Sequence, residues 1–183
     1  VLDIRKASEA VNVMDVSPLH VAYVKKKLKR KNDVRKLKAL LKAQHLYGAE
    51  SYLQGFSGYV LEILVSHYGS FSKVLKAFSS VKDSLVLDPA KHYSSKTIAL
   101  KSLNKSKLGA FVLIDPVQKD RNAAAGVSLN KLREFAKLCT SYDEVESFIF
   151  KEVDVSKLSK SYIVLSVVPL DGKKDISLAK MRA

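Results

Sequence analysis

The sequence holds a single cysteine, Cys139, among 183 residues. A lone thiol excludes a disulfide framework, and four scattered histidines with no second cysteine leave no zinc-ligand spacing. A reducing, cytoplasmic setting is the expectation. Long apolar runs are also missing: the longest, around Val60 to Val65, is far too short to cross a bilayer, and the N-terminal Val1-Leu2-Asp3-Ile4-Arg5-Lys6 lacks the apolar segment of an export signal. Acidic side chains are scarce. Eighteen Asp plus Glu against 32 Lys plus Arg leave a formal net charge of +14, which makes a polyanion the first partner to consider, nucleic acid ahead of an anionic membrane. The basic residues at 25 to 31 come without the large apolar moment and exposed aromatics of interfacial helices, so no membrane partner is expected. With 47% hydrophobic residues the chain can bury a core without staples. Its first residue is not methionine, and a processed or excised piece of a longer protein is the expectation.

What is present reads differently in the two halves. Ser17 before Pro18 looks like an N-cap and first helical position, followed by Leu19, Ala22, Tyr23 and Leu28 at helical spacing. Asp33 precedes a second helix bearing Val34, Leu37, Leu40, Leu41 and Leu46, with Gly48 placed as a left-handed terminator. Ser57 caps a third helix with Val60, Leu61, Leu64, Val65 and Tyr68, closed by Gly69, and Ser70 caps a fourth with Val74, Leu75 and Phe78. From Ser84 the runs Ser84 to Leu87, Thr97 to Leu100 and Ala110 to Ile114 read as strands, Ser102 to Lys107 as an exposed loop, and Ser128 as the cap of a helix carrying Leu129, Leu132, Phe135, Ala136 and Cys139. Further strands are expected at Ser147 to Phe150 and Tyr162 to Val168. The fold class is therefore α+β: a helical first part, then a small α+β part with an antiparallel sheet.

The densest basic segment runs from Lys25 through Lys29, Arg30 and Lys31 into Arg35, Lys36, Lys38 and Lys42. Arg35, Lys38 and Lys42, spaced by three and four, share one helix face opposite the leucines and offer three cations to phosphates; a solvated lysine face has the same pattern. Lys29, Arg30, Arg35 and Lys42 are the candidate RNA or phosphate contacts. Gly55-Phe56-Ser57-Gly58 opens a helix, where free N–H groups could hold an anion or merely cap and pack. Asp115-Pro116 ends an apolar strand and leads into Arg121-Asn122-Ala123-Ala124-Ala125, where Arg121 either reads a base or phosphate or pairs with Asp115 or Asp120. Glu152 and Asp154 alternate on one strand but lack a third carboxylate and a phosphate-cradling loop, and His20, His45, His67 and His92 have no nucleophile at an informative spacing. No catalytic residue and no metal ligand is assigned.

Several stretches together carry a resemblance. They are Met14-Asp15-Val16-Ser17-Pro18-Leu19-His20, Val34 to Lys38 through Tyr47-Gly48-Ala49-Glu50, Gly55 to Tyr59 with His67-Tyr68-Gly69-Ser70-Phe71, and Ile114-Asp115-Pro116-Val117 with Arg121 to Ala125. In this order and with these gaps the chain resembles the archaeal class of CCA-adding enzyme, the tRNA nucleotidyltransferase that builds the 3′-terminal CCA, over roughly residues 8 to 170. The resemblance implies a helical neck at 13–82 and an RRM-like body at 83–183, with 1–12 a remnant or linker of a head and residues 1–7 the remnant of its last strand. It implies that Lys38 and Tyr47 contact the triphosphate of CTP or ATP, that Arg121 reads the base, and that His20 lies beside the nucleotide. The family's Gly-Ser loop and paired carboxylates are not in this sequence, so Mg²⁺ is expected only through a separate catalytic head, and the absence of the family's tail is a further expectation. Val16 stands where the family commonly has a basic residue, and Gln118 where it has an acid. Two functions follow as expectations: the nucleotide-selecting, tRNA-binding portion of a CCA-adding enzyme working with a head subunit or domain, or a non-catalytic module for tRNA or structured RNA. Self-association through a surface that a head would cover is a further expectation.

Overall fold

The structure is a computed structural model that describes Ile4 and residues 6–141. The expected strands at 147–150 and 162–168, the Glu152 and Asp154 pair, and most of the expected remnant at 1–7 lie outside the described residues. After a one-turn 3-10 helix at Ala7–Glu9 come α1 (Val13–Lys27), α2 (Lys31–Ala43), α3 (Gly58–Tyr68), α4 (Phe71–Phe78), β1 (Leu85–Leu87), α5 (Lys96–Ser102), β2 (Phe111–Leu113) and α6 (Leu129–Thr140).

The caps at Ser57, Ser70 and Ser128 are formed as their spacing predicts: each serine accepts from the backbone N–H three residues on. Gly69, at φ 89°, closes α3 in the left-handed conformation that only glycine adopts cheaply. The start of α1 is a correction. Asn12 is its cap, accepting from the N–H groups of Met14 and Asp15, while the buried Asp15 carboxylate accepts from the Asn12 N–H at 3.1 Å. This reciprocal box outranks Ser17-Pro18, and Pro18 lies inside the helix. Ala22, expected on the apolar face, is exposed, and α1 also turns Met14 and Val21 outward. Helix α2 starts two residues before Asp33, whose carboxylate instead accepts from the Phe71 N–H at 3.1 Å and so ties α2 to the start of α4. Nor does Gly48 end α2; Gln44 caps it and His45 takes the left-handed conformation at φ 54°.

The run Thr97 to Leu100 is helix α5, not a strand, because Ser95 accepts from the Ile98 N–H and starts a turn. That helix is the crossover between β1 and β2, which pair parallel with Leu85 opposite Phe111 and Leu87 opposite Leu113. The two-stranded sheet is thus parallel, correcting the antiparallel expectation; among the described residues, antiparallel pairing is the bridge Ile114–Asn122. The expected loop at 102–107 holds the end of α5, the buried Leu103 and a single 3-10 turn.

Side-chain alternation along β2 separates two apolar clusters. Phe111 and Leu113 face the main core with Leu37, Leu40, Leu41, Phe56, Leu61, Leu64, Phe78, Leu132 and Phe135. Val112 and Ile114 face the other way, against Ala99 and Leu103 of the α5 segment. Leu129, expected inside, sits at the rim, 37% exposed. The main core is continuous from Leu28 to Cys139 and includes residues from both halves of the sequence.

Before α3 the chain doubles back through the bridge Tyr47–Phe56, where Gly55 passes close to other backbone. A Cβ on Gly55 would lie 2.3 Å from the Leu46 carbonyl oxygen and 2.8 Å from its carbon. Neither atom can swing away, so Gly55→Ala is expected to destabilise by about 1–3 kcal/mol through forced backbone displacement, read as a lower urea midpoint. A change below about 0.5 kcal/mol would show that the segment gives way freely.

Candidate nucleotide-binding site

A dense hydrogen-bond cluster surrounds Asp115, which follows β2 and is fully buried. Its Oδ1 accepts from the Tyr59 hydroxyl at 3.1 Å, the Val117 N–H at 2.8 Å and the Gln118 N–H at 3.3 Å. Its Oδ2 accepts from an Arg121 Nη, with His20 Nε2 on the same oxygen at 3.2 Å. His20 comes from the middle of α1 and Tyr59 from the first turn of α3, and their rings meet at a tilt of 36° with centroids 4.5 Å apart. Arg121 reaches the carboxylate across a closed turn: the Arg121 N–H donates to Gln118 O, and the Asp115 N–H donates to Arg121 O at 3.0 Å.

Burial pushes the Asp115 carboxyl up, but the close contact of His20, the Val117 hydrogen bond and the charge of Arg121 outweigh it, and the group ends below its ordinary 3.8. Tyr59 is raised well above the usual tyrosine value, by burial first and then by the Asp115 charge, so its hydroxyl stays a donor. Because the folded value of Asp115 lies below the unfolded one, the ionised network stabilises in full above the ordinary carboxylate range, and that stability is lost as pH falls through the lowered value. Asp115→Asn is accordingly expected to flatten the acid limb of a stability–pH curve below about pH 4. An unchanged acid limb would place the linkage on other carboxylates.

A second group stands on α2 and the segment after it. Lys38 Nζ lies 4.9 Å and Lys42 Nζ 5.6 Å from the centre of the Tyr47 ring, so two ammonium groups lie over one aromatic ring. Glu62 on α3 is raised by burial, against which the Lys38 charge pulls it down. The two groups meet at the start of α3. A Cβ on Gly58 would lie 3.2 Å from the Tyr47 hydroxyl, and the next residue, Tyr59, reaches Asp115. Lys42, expected among the RNA contacts, is exposed and lies beside the Tyr47 ring. Arg30 is engaged by Asp33 at 3.5 Å and Arg35 by Asn32 at 3.1 Å, both along α2, and Lys29 is exposed between α1 and α2.

At Gly55 to Gly58 the capping and packing alternative is formed: the Gly55 N–H donates to Gly48 O and the Phe56 N–H to Leu46 O, and Ser57 caps the helix. Of the other histidines, His92 Nε2 contacts Pro116 O at 3.1 Å, and beside it the Tyr93 hydroxyl donates to Lys119 O, so the loop after β1 clamps the turn that carries Arg121. Burial lowers the pKa of His67, which packs edge-on against Tyr68. Cys139 is buried, with its thiol pushed up to about 12, and has the properties of a packing residue. Sequence reasoning missed Asn122. This buried amide accepts from the Leu113 and Ala124 N–H groups and donates to Lys107 O and Phe111 O, bracing the strand beside Arg121. Its signal was a polar residue between Arg121 and three alanines.

Residues 32–151 match the family described as tRNA nucleotidyltransferase, second domain. The chain belongs to that family. Among its relatives, a CCA-adding enzyme of Nanoarchaeum equitans is 37% identical over 92% of this chain and 43% of its own length. Another from Saccharolobus shibatae is 33% identical over 94% of this chain and 40% of its own, and one from Pyrobaculum neutrophilum is 41% identical over 68% and 28%. The chain therefore corresponds to a portion of a CCA-adding enzyme and spans less than half the length of the curated relatives it matches.

The family implies Mg²⁺. Among the described residues of this domain no three His, Cys, Asp or Glu side chains converge as a metal site, and Asp115, the buried carboxylate nearest the candidate residues, already accepts from donors on both oxygens. The residues described do not fit a catalytic metal pair. No helix among them is long and apolar enough to cross a membrane.

Proposed function

We propose that this chain is the nucleotide-selecting and tRNA-binding portion of an enzyme that adds CCA to tRNA from CTP and ATP, working with a separate catalytic head that supplies the metal-binding carboxylates. The observation that carries the reading is the meeting of the two residue groups at the first turn of α3, with His20 and Arg121 on Asp115 to one side and Lys38 and Tyr47 to the other. Residues 13–82 would form the neck and 83–183 the body.

In this reading Lys38 and the Tyr47 hydroxyl hold the triphosphate, a mobile positive charge beside a hydrogen-bond donor. Arg121, anchored through one Nη and half exposed, turns its remaining N–H donors to the base. Cytosine and adenine each present a ring-nitrogen acceptor next to their amino group, where uracil and guanine present an N–H. A donor edge thus favours C and A together and repels the other two. His20 flanks the ribose or phosphate side of this pocket. The exposed Lys29, Arg30, Arg35 and Lys42 would meet tRNA phosphates, an interaction that weakens steeply with salt.

Equilibrium binding of the four nucleoside triphosphates tests the pocket. CTP and ATP are expected to bind more tightly than UTP and GTP, and Lys38→Ala with Tyr47→Phe to weaken all four by about ten-fold or more, the loss of one or two charge-assisted contacts. Affinities that stay within about two-fold of the parent chain would remove these residues from nucleotide binding.

A further inference from the structure

We propose that Asp115 is a positioning residue that fixes the guanidinium of Arg121, and through it the choice of base. The inference rests on the reading of Arg121 as the base-reading group and adds the device that makes an otherwise flexible, half-exposed side chain discriminate. An arginine that reads a base must present its donors in one plane, since a fork free to rotate would satisfy uracil or guanine carbonyls as readily as cytosine or adenine nitrogens. Here one nitrogen of that plane is held by the protein. Oδ1 of Asp115 is locked by the Tyr59 hydroxyl and the Val117 and Gln118 amides, so the carboxylate cannot turn. Oδ2 is then fixed in space and takes one Nη of Arg121.

His20 on the same Oδ2 adds a second constraint from α1, and Asp115 itself has no exposed surface by which to reach a ligand. The turn is also held from outside, by the His92 contact to Pro116 O at 3.1 Å and the Tyr93 bond to Lys119 O at 3.0 Å. Arg121 is thereby pinned at one nitrogen while its side chain remains 44% exposed, leaving the other donors toward solvent. The buried carboxylate selects without touching the nucleotide.

The test uses the 183-residue chain with Asp115→Asn, Asp115→Glu and Arg121→Ala, and with Arg133→Ala, which removes a surface pair with Asp83, as control. Two readouts are taken: the CTP-to-UTP affinity ratio, and the side-chain ¹⁵N–¹H signals of Arg121, which report whether the guanidinium is held or rotating. Asp115→Asn is expected to lower the ratio by about ten-fold while changing the common triphosphate affinity little, and to convert the held Arg121 signals to averaged ones. Asp115→Glu, which keeps the charge but displaces it by a methylene, is expected to fall between parent and Asn variant in both. If the Asn variant does not fold, the Glu variant decides by the same two readouts. A ratio and Arg121 signals unchanged from the parent in the folded variants would overturn the proposal. Failure of the base-reading role itself looks different: Arg121→Ala would leave the ratio unchanged while the Asp115 variants still release the guanidinium.

Discussion

Phe56→Ala is expected to lower the unfolding free energy by about 3–5 kcal/mol, a loss typical of large aromatic truncations in a packed core. Phe56 is fully buried, and its ring lies 6.3 Å from Phe78 of α4, 6.1 Å from Phe111 of β2 and 5.0 Å from Phe135 of α6. These neighbours come from both halves of the chain, so one side chain fills the space where helices of the first half meet the strand and helix of the second. The lost contacts cannot be made up by one element settling inward, because each neighbour is itself held by others in the same core. Urea unfolding followed by circular dichroism and by tyrosine fluorescence should give one transition shifted to lower denaturant by both probes. A loss below about 1 kcal/mol, or two separate transitions, would show that the halves do not share this core.

The second large effect is expected at Asn122, whose amide makes four hydrogen bonds, to Leu113, Ala124, Lys107 and Phe111. Asn122→Ala removes the partner of two buried N–H groups and two carbonyls at once, and stranded buried groups cost more than an average hydrogen bond contributes. A destabilisation of about 2–4 kcal/mol is expected, with faster hydrogen exchange at the Leu113 and Ala124 amides. Because Asn122 follows Arg121 and bridges Ile114, the folded fraction should also lose discrimination among bases while keeping affinity for the triphosphate. Unaltered exchange at those two amides would mean that the bridge is held by other groups.

Local chemistry made much of this architecture legible in the sequence. Serine caps followed by apolar periodicity placed α3, α4 and α6, because the capping hydroxyl and the helical stripe act within one turn of each other. Where two local signals competed, the reading went astray: Ser17-Pro18 concealed the stronger Asn12 and Asp15 box, and the short apolar run Thr97 to Leu100 fits a strand as well as the helix that Ser95 starts. The parallel pairing of β1 and β2 followed from that same helix, since a crossover is what lets the second strand return in the same direction.

At the candidate site the residue types were visible and their company was not. Lys38 and Lys42 share a face by helical spacing, but their meeting with Tyr47 depends on the chain turning at His45 and closing through Gly55. Likewise Asp115 and Arg121 are near in sequence, whereas His20 and Tyr59 reach the same carboxylate from α1 and α3, which no spacing rule encodes.

The most direct test of the central claim is incorporation of labelled CTP and ATP into tRNA lacking its 3′ CCA, with Mg²⁺, using this chain alone and with the catalytic head of an archaeal CCA-adding enzyme supplied in trans. Incorporation is expected only when both pieces are present, with a shift in C-versus-A choice when the chain carries Arg121→Ala. Absence of incorporation in every mixture, with salt-sensitive tRNA binding retained by this chain, would contradict the nucleotide-selecting role and leave a module that binds RNA.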